Sequence, residues 1–123
     1  MKKYAFVIVL ILTTISAAAA QRTGGYKDTD ASDASVQEAA NFAVNAEAEK
    51  TNREVHLISI SKAEVQVVAG RNYRLCLKVR SQGAEHEADA IIFAQAVVYV
   101  DLKGNKSLSS WVTSDCGEDD DDD

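Results

Sequence analysis

The strongest constraint on the fold of this chain is a change of period after residue 51. Up to that point small and apolar residues recur at helical spacing: Val36, Ala40, Ala43 and Glu47 fall on one line, with Ala39, Phe42 and Ala46 beside it. That spacing puts them on one face of an α-helix. Further on, Tyr73, Leu75, Leu77 and Val79 alternate with Asn72, Arg74, Cys76, Lys78 and Arg80, the two-residue period of a strand buried on one face. One helical stripe and a set of one-faced strands have only each other to bury against. The expected fold is therefore α+β, one N-terminal helix packed across a four- to five-stranded antiparallel sheet.

The element boundaries follow from local chemistry. Ser35 is expected to cap the helix, with Glu38 three residues on completing a capping box, and Asn52 is expected to stop it. The many alanines imply close helix-to-sheet packing, with Phe42 as the large anchor. Ile58 and Ile60, separated by serines, start a strand. Val65 and Val67 continue its apolar face out of phase, which predicts a bulge near Lys62-Ala63. Ser81 to Ala88 reads as a loop, Ile91 to Val100 as a central strand, and Asp101 to Lys106, containing Gly104-Asn105, as a turn. Ser107 to Thr113 alternates again, with Leu108 and Val112 on one face and Trp111 on the other. A short strand within Gly25 to Thr29 would be a fifth.

The first twenty residues join a basic start, Met1-Lys2-Lys3, to an apolar run and a small-residue tract ending at Ala20. This is the pattern of a secretory signal peptide, with cleavage expected after Ala20. The organisation that follows is a polar arm over residues 21–35, one domain over 36–116 and an acidic, disordered tail over 117–123. Export to the outside of the cell or to a periplasm is expected, with no membrane association after cleavage. The net charge of -6 becomes -8 once Lys2 and Lys3 are removed; six of the acids lie in 118–123, which leaves -2 on the folded part. No basic stripe is present to neutralise phosphates, so nucleic acid is not an expected partner.

Cys76 and Cys116 are the two cysteines, and in an exported chain they are expected to pair. Cys76 lies on the polar face of its strand, and Cys116 follows a strand two positions away, about 9.5 Å distant and beyond the roughly 7 Å Cα limit for a bridge. The chain after Thr113 is therefore expected to fold over the outer face of the sheet, with Ala94 and Ala96 leaving room. His56 and His86 have no metal-like companions, and no nucleophile or acid–base pair stands at a suggestive spacing. Neither a cofactor nor an enzymatic activity is expected.

Asn41-Phe42-Ala43-Val44 in the helix, Gln66-Val67-Val68-Ala69-Gly70 between two strands, Asn72-Tyr73 after it and the upstream Gly24-Gly25 pair together resemble the cystatins, especially the single-domain forms of plants and bacteria. The resemblance runs from about Gly24 to Thr113. It implies a reversible inhibitor of papain-like cysteine proteases that fills the active-site cleft with an N-terminal arm and two hairpin loops. The protease-binding residues it implies are Gly24, Gly25, Gln66, Val67, Val68, Ala69, Gly70, Leu102 and Lys103. The first loop makes chemical sense on its own terms. Two β-branched valines on a tight turn present a stiff apolar ridge, Gly70 permits the positive φ the turn needs, and Gln66 is placed to hydrogen-bond across it.

The sequence departs from the cystatin pattern at the second loop, where a Pro-Trp pair is typical. It contains no proline, Leu102-Lys103 fall at that loop, and Trp111 is read as a strand residue; in the other register Ser110-Trp111 would stand for the pair. An interface tryptophan is a frequent hot spot worth about 2 kcal/mol or more, so its loss keeps a second reading in view, a cystatin-fold binding module without inhibition. A monomer is expected, with exchange of the first hairpin between chains as a route to a dimer.

Overall fold

A computed structural model describes residues 25–117. The expected leader over 1–20, Gln21 to Gly24 of the expected arm, and 118–123 of the acidic tail lie outside the described residues. The chain runs β1 (Lys27–Asp28), α1 (Ala34–Thr51), β2 (Val55–Val68), β3 (Gly70–Ser81), β4 (Ala90–Val100) and β5 (Lys106–Thr113). The strands form one antiparallel sheet in the order β1-β2-β3-β4-β5, and α1 lies across one face of it.

The helix begins two residues earlier than its sequence pattern suggested. Asp33 is the N-cap, extended at φ -63° and ψ 140°, and its side chain accepts from the Ser35 N–H. Ser35 is thus already helical, so the Ser35–Glu38 capping box is not formed; a carboxylate at the cap has displaced the hydroxyl two positions on. Asn52 closes the helix in the left-handed region, φ 59° and ψ 37°, as its side chain tolerates. The buried helical residues are Val36, Ala39, Ala40, Ala43 and Val44. Phe42 is not the central anchor but a half-buried flank packed against the core.

Under the alanines lies the inner face of the sheet. Leu75, Leu77, Val79, Ala94, Ala96 and Val98 have no exposed surface and Tyr73 very little, each Leu or Val contributing about 1.5–3 kcal/mol by burial. The alternation in β3 is the one the sequence displayed. In β2 the phase breaks twice, between Leu57 and Ser59 and between Ile60 and Lys62. The second break falls close to the expected bulge. The first overturns the pairing of Ile58 with Ile60 on one face: Leu57 opposite Val79 and Ile60 opposite Leu77 point inward, while Ile58 is left outside, 44% exposed.

A register shift also re-sorts β5. Val97 pairs with Ser110 but Val98 with Leu108, so Ser109 is the extra residue. Leu108 and Trp111, opposite the buried Val98 and Ala96, therefore share the inner face and pack on the core. Val112 faces outward and is exposed, the reverse of the grouping read from strict alternation.

Cys76 and Cys116 are joined, with Cα atoms 5.9 Å apart. The chain leaves β5 by a Ser114 N–H bond to the Phe93 carbonyl at 3.0 Å, crosses the outer face and caps Cys76, which is 3% exposed although it points away from the helix. Ala94 and Ala96 do not make room for this crossing, because they face the helix. Gly117 provides the close approach instead: a Cβ there would stand 2.2 Å from the Phe93 ring.

The bridge closes a loop across 40 residues. In the chain-entropy account such a loop is worth about 4 kcal/mol. The Cys76→Ser/Cys116→Ser double variant is expected to lose stability by that order in urea unfolding; a loss below about 1 kcal/mol would show that the crossing strap holds without it.

Candidate functional site

The first hairpin is unusually tight. Val68 and Gly70 are paired and Ala69 alone stands between them. Gly70 has φ +109° and is buried against the end of β4, where a Cβ would lie 2.4 Å from the Val100 carbonyl oxygen and 3.1 Å from the Asp101 Cα. The positive φ was legible in the sequence; the second reason for glycine, contact with the neighbouring strand end, was not. The Tyr99 hydroxyl donates to the Ala69 carbonyl, and the Asn72 side-chain amide donates to Gln66 Oε1 at 2.9 Å. The tip is thus tied both across its own hairpin and to β4. Val67 stands out at 65% exposure, and Val68 is half-buried beside it.

The contact at Gly70 places the second turn next to the first. There the Asp101 carboxylate accepts from the main-chain N–H groups of Lys103 and Asn105, each at 2.8 Å, and from the Asn105 amide at 3.2 Å. These bonds, the Asn105 N–H foremost, hold the carboxyl below its usual range. Gly104, at φ +92°, completes the turn. Leu102 is carried at the tip, 82% exposed, with Lys103 beside it. Val67, Val68, Val100 and Leu102 line a cleft of about 450 Å³ between the turns, floored by Ser35 and Glu38 at the start of α1.

The arm reaches the same end. Lys27 pairs with Val65 in antiparallel register, so Gly25, two residues back, is level with Val67. It is exposed, and a side chain there would meet nothing within 4 Å. What anchors the arm was missed in the sequence. Arg74 on the outer face of β3 lies 4.0 Å over the Tyr26 ring and donates to Glu64 Oε1 at 2.8 Å, a bond that lowers the Glu64 pKa. Thr29 adds a main-chain bond to Ala63. The only advance signal was that Tyr26, Glu64 and Arg74 could meet on one outer face, which needs the register to be known.

Of the residues singled out from the sequence, Gly25, Gln66 to Gly70, Leu102 and Lys103 therefore stand together at one end of the sheet, and Gly24 lies outside the described residues. Trp111 is elsewhere, on β5 opposite Ala96. Val67 and Leu102 are the two most exposed large apolar side chains among the described residues, and both belong to this end.

Comparison with known proteins agrees with this arrangement. The model of the SQAPI family, described as aspartic acid proteinase inhibitor, matches residues 27–112. L-cystatin of Tachypleus tridentatus is 32% identical, over 78% of this chain and 88% of that protein. The chain belongs to the cystatin family. The crystal structure of salivary cystatin from the soft tick Ornithodoros moubata superposes with a TM-score of 0.60 at 27% identity, covering 74% of this cystatin and 97% of the tick protein. Cystatins are inhibitors rather than enzymes. In this cystatin the end of the sheet offers shape and the apolar surface of Val67 and Leu102.

In this cystatin Gly70 is the keystone between the two turns. Gly70→Ala is expected to lower unfolding stability by about 3 kcal/mol or more, from the disfavoured φ together with the clash at Val100. Thermal and urea unfolding measure it; an unchanged midpoint would mean that the turns are not pressed together.

Proposed function

We propose that this cystatin is a secreted, reversible inhibitor of papain-like cysteine proteases, acting as a single chain that occludes the active-site cleft. The observation that carries the reading is the placement of Val67 and Leu102, exposed on two internally hydrogen-bonded turns, level with Gly25. Apolar groups left in water on a rigid edge gain free energy when a groove covers them, and little conformational entropy is lost on docking. In this account the first turn, Gln66 to Gly70, fills the middle of the cleft. Gly24 and Gly25 bend along one side, and Leu102 with Lys103 takes the other. The names of the two relatives support cystatin activity, and the leader and the disulfide support export.

A second reading has an observation of its own. The family model that spans residues 27–112 is described by inhibition of aspartic proteinases. Steric occlusion touches the walls of a cleft more than its catalytic groups, so the same edge suits either class of enzyme in principle.

Titration of papain and of pepsin with the disulfide-bonded protein separates the readings. Papain inhibition relieved on dilution is expected, weakened about 30-fold by Val67→Asp, the loss of one hot-spot contact. Val112→Asp, at a valine also more than half exposed but on the outer face, is expected to leave it unchanged. Pepsin inhibition without papain inhibition would establish the second reading, and inhibition of neither would leave a cystatin-fold binding module.

A further inference from the structure

The far end of the sheet holds a feature that occlusion of a protease does not use. Along the helix line that buries Val36, Ala40 and Ala43 completely, the next position is Glu47. A carboxylate thus stands where the spacing calls for a small apolar group, and where the chain has used alanine at four neighbouring positions. Beneath it the helix and sheet enclose a cleft of about 500 Å³, within the range of small-molecule sites. Its inner-face walls are Val55, Val79, Ile92 and Trp111, and Thr51 and Arg53 stand at the helix end.

Glu47 Oε1 has no solvent contact and no hydrogen-bond partner, an arrangement that native structures rarely leave unresolved. The Thr51 hydroxyl does not help, because it donates to the Glu47 main-chain carbonyl at 2.9 Å. Arg53 makes no ion pair with any carboxylate among the described residues. The cleft therefore offers a half-buried carboxylate in its wall, a cation at its rim, an aliphatic wall and one indole ring.

We propose that this cleft binds a small zwitterion with an apolar body, of the α-amino-acid class and up to the size of a dipeptide. The ammonium group donates to the Glu47 carboxylate, where rotation about the last side-chain bond exchanges its two oxygens and brings the orphaned one to the cleft, and it lies near Trp111, whose ring face favours a cation. The aliphatic side chain packs on Val55, Val79 and Ile92. The carboxylate meets the Arg53 guanidinium, a geometry suited to two parallel bonds. An amine without a carboxylate leaves Arg53 opposing its charge, and an acid without an amine leaves Glu47 unmatched. The site is independent of the inhibitory edge. Ser81 and Gly70 are eleven residues apart on β3, about 36 Å at strand rise, so the two ends are free to be occupied together.

The chain has one tryptophan, so tryptophan emission excited at wavelengths tyrosine does not absorb reports on this cleft. Titration of the full disulfide-bonded protein with leucyl-leucine is expected to give a saturable change with Kd below about 1 mM. N-acetyl-leucyl-leucine, which lacks the ammonium, is expected to give none, a comparison that needs no variant. Glu47→Gln, which keeps shape and removes charge, is expected to weaken binding at least about tenfold, as loss of a charge-assisted bond does, and Arg53→Gln to do likewise. No saturable change up to about 10 mM, equal binding of the acetylated dipeptide, or an unchanged Kd in Glu47→Gln would each overturn the proposal. Circular dichroism and thermal unfolding of the same samples check folding, and papain inhibition, measured separately, is not needed to read the dipeptide result.

Discussion

One 18-residue helix has to cover a sheet whose three central strands outlast it. At about 1.5 Å per residue α1 is about 27 Å long, while the 12 residues of β3 extend about 40 Å. Alanines at 39, 40 and 43 let the helix come close, so that the middle of the sheet, from Leu75 to Val79 and Ala94 to Val98, is shut off from water on its inner side. Both ends of the sheet project past this cover. One end carries the two hairpin turns with Val67 and Leu102 in solvent, and the other the cleft in which Glu47 stands. The uneven match of helix and sheet thus creates the surfaces to which function is assigned.

Exposed apolar residues serve recognition only if their backbone is fixed, and here it is fixed without help from the core. Gly70 lies against Val100 and Asp101, Tyr99 reaches the carbonyl at the tip, and the Asp101 carboxylate gathers the N–H groups of its own turn. Each bond is local or joins adjacent strand ends, so the edge behaves as one piece. On the outer face the strap through Cys116 and the Tyr26–Arg74–Glu64 cluster restrain the last and first segments of the domain. No other helix or strand among the described residues covers that side.

The architecture was legible in the sequence because the period of β3 is unbroken and the helix has one stripe. The disulfide and its crossing of the outer face followed from cysteine count and strand spacing. Misreadings arose where a single residue shifts the period. Ile58 was grouped with Ile60, and Trp111 was set on the opposite face from Leu108, because an extra residue in β2 and another in β5 reverse the side chains that follow, and no propensity marks a bulge. Ala94 and Ala96 were taken for spacers on the outer face, although a buried strand beneath an alanine helix needs small residues on the inner one. The cap moved from Ser35 to Asp33 because two good capping residues stood two apart. At the edge proposed for inhibition the turn glycine and the valines stood out by their type. Tyr99 and the Gly70–Val100 contact join residues about thirty positions apart, and strand register alone brings them together.

The central claim is that the paired turns form the working edge. Hydrogen exchange of the protein alone and in its complex with papain tests it most directly, because amide protection maps contact without any substitution. The account predicts added protection in the segments spanning 66–71 and 101–105, with the helix and the outer face unchanged. Protection confined to the outer face or to the helix C-terminal end, with both turns exchanging as in the free protein, would contradict it.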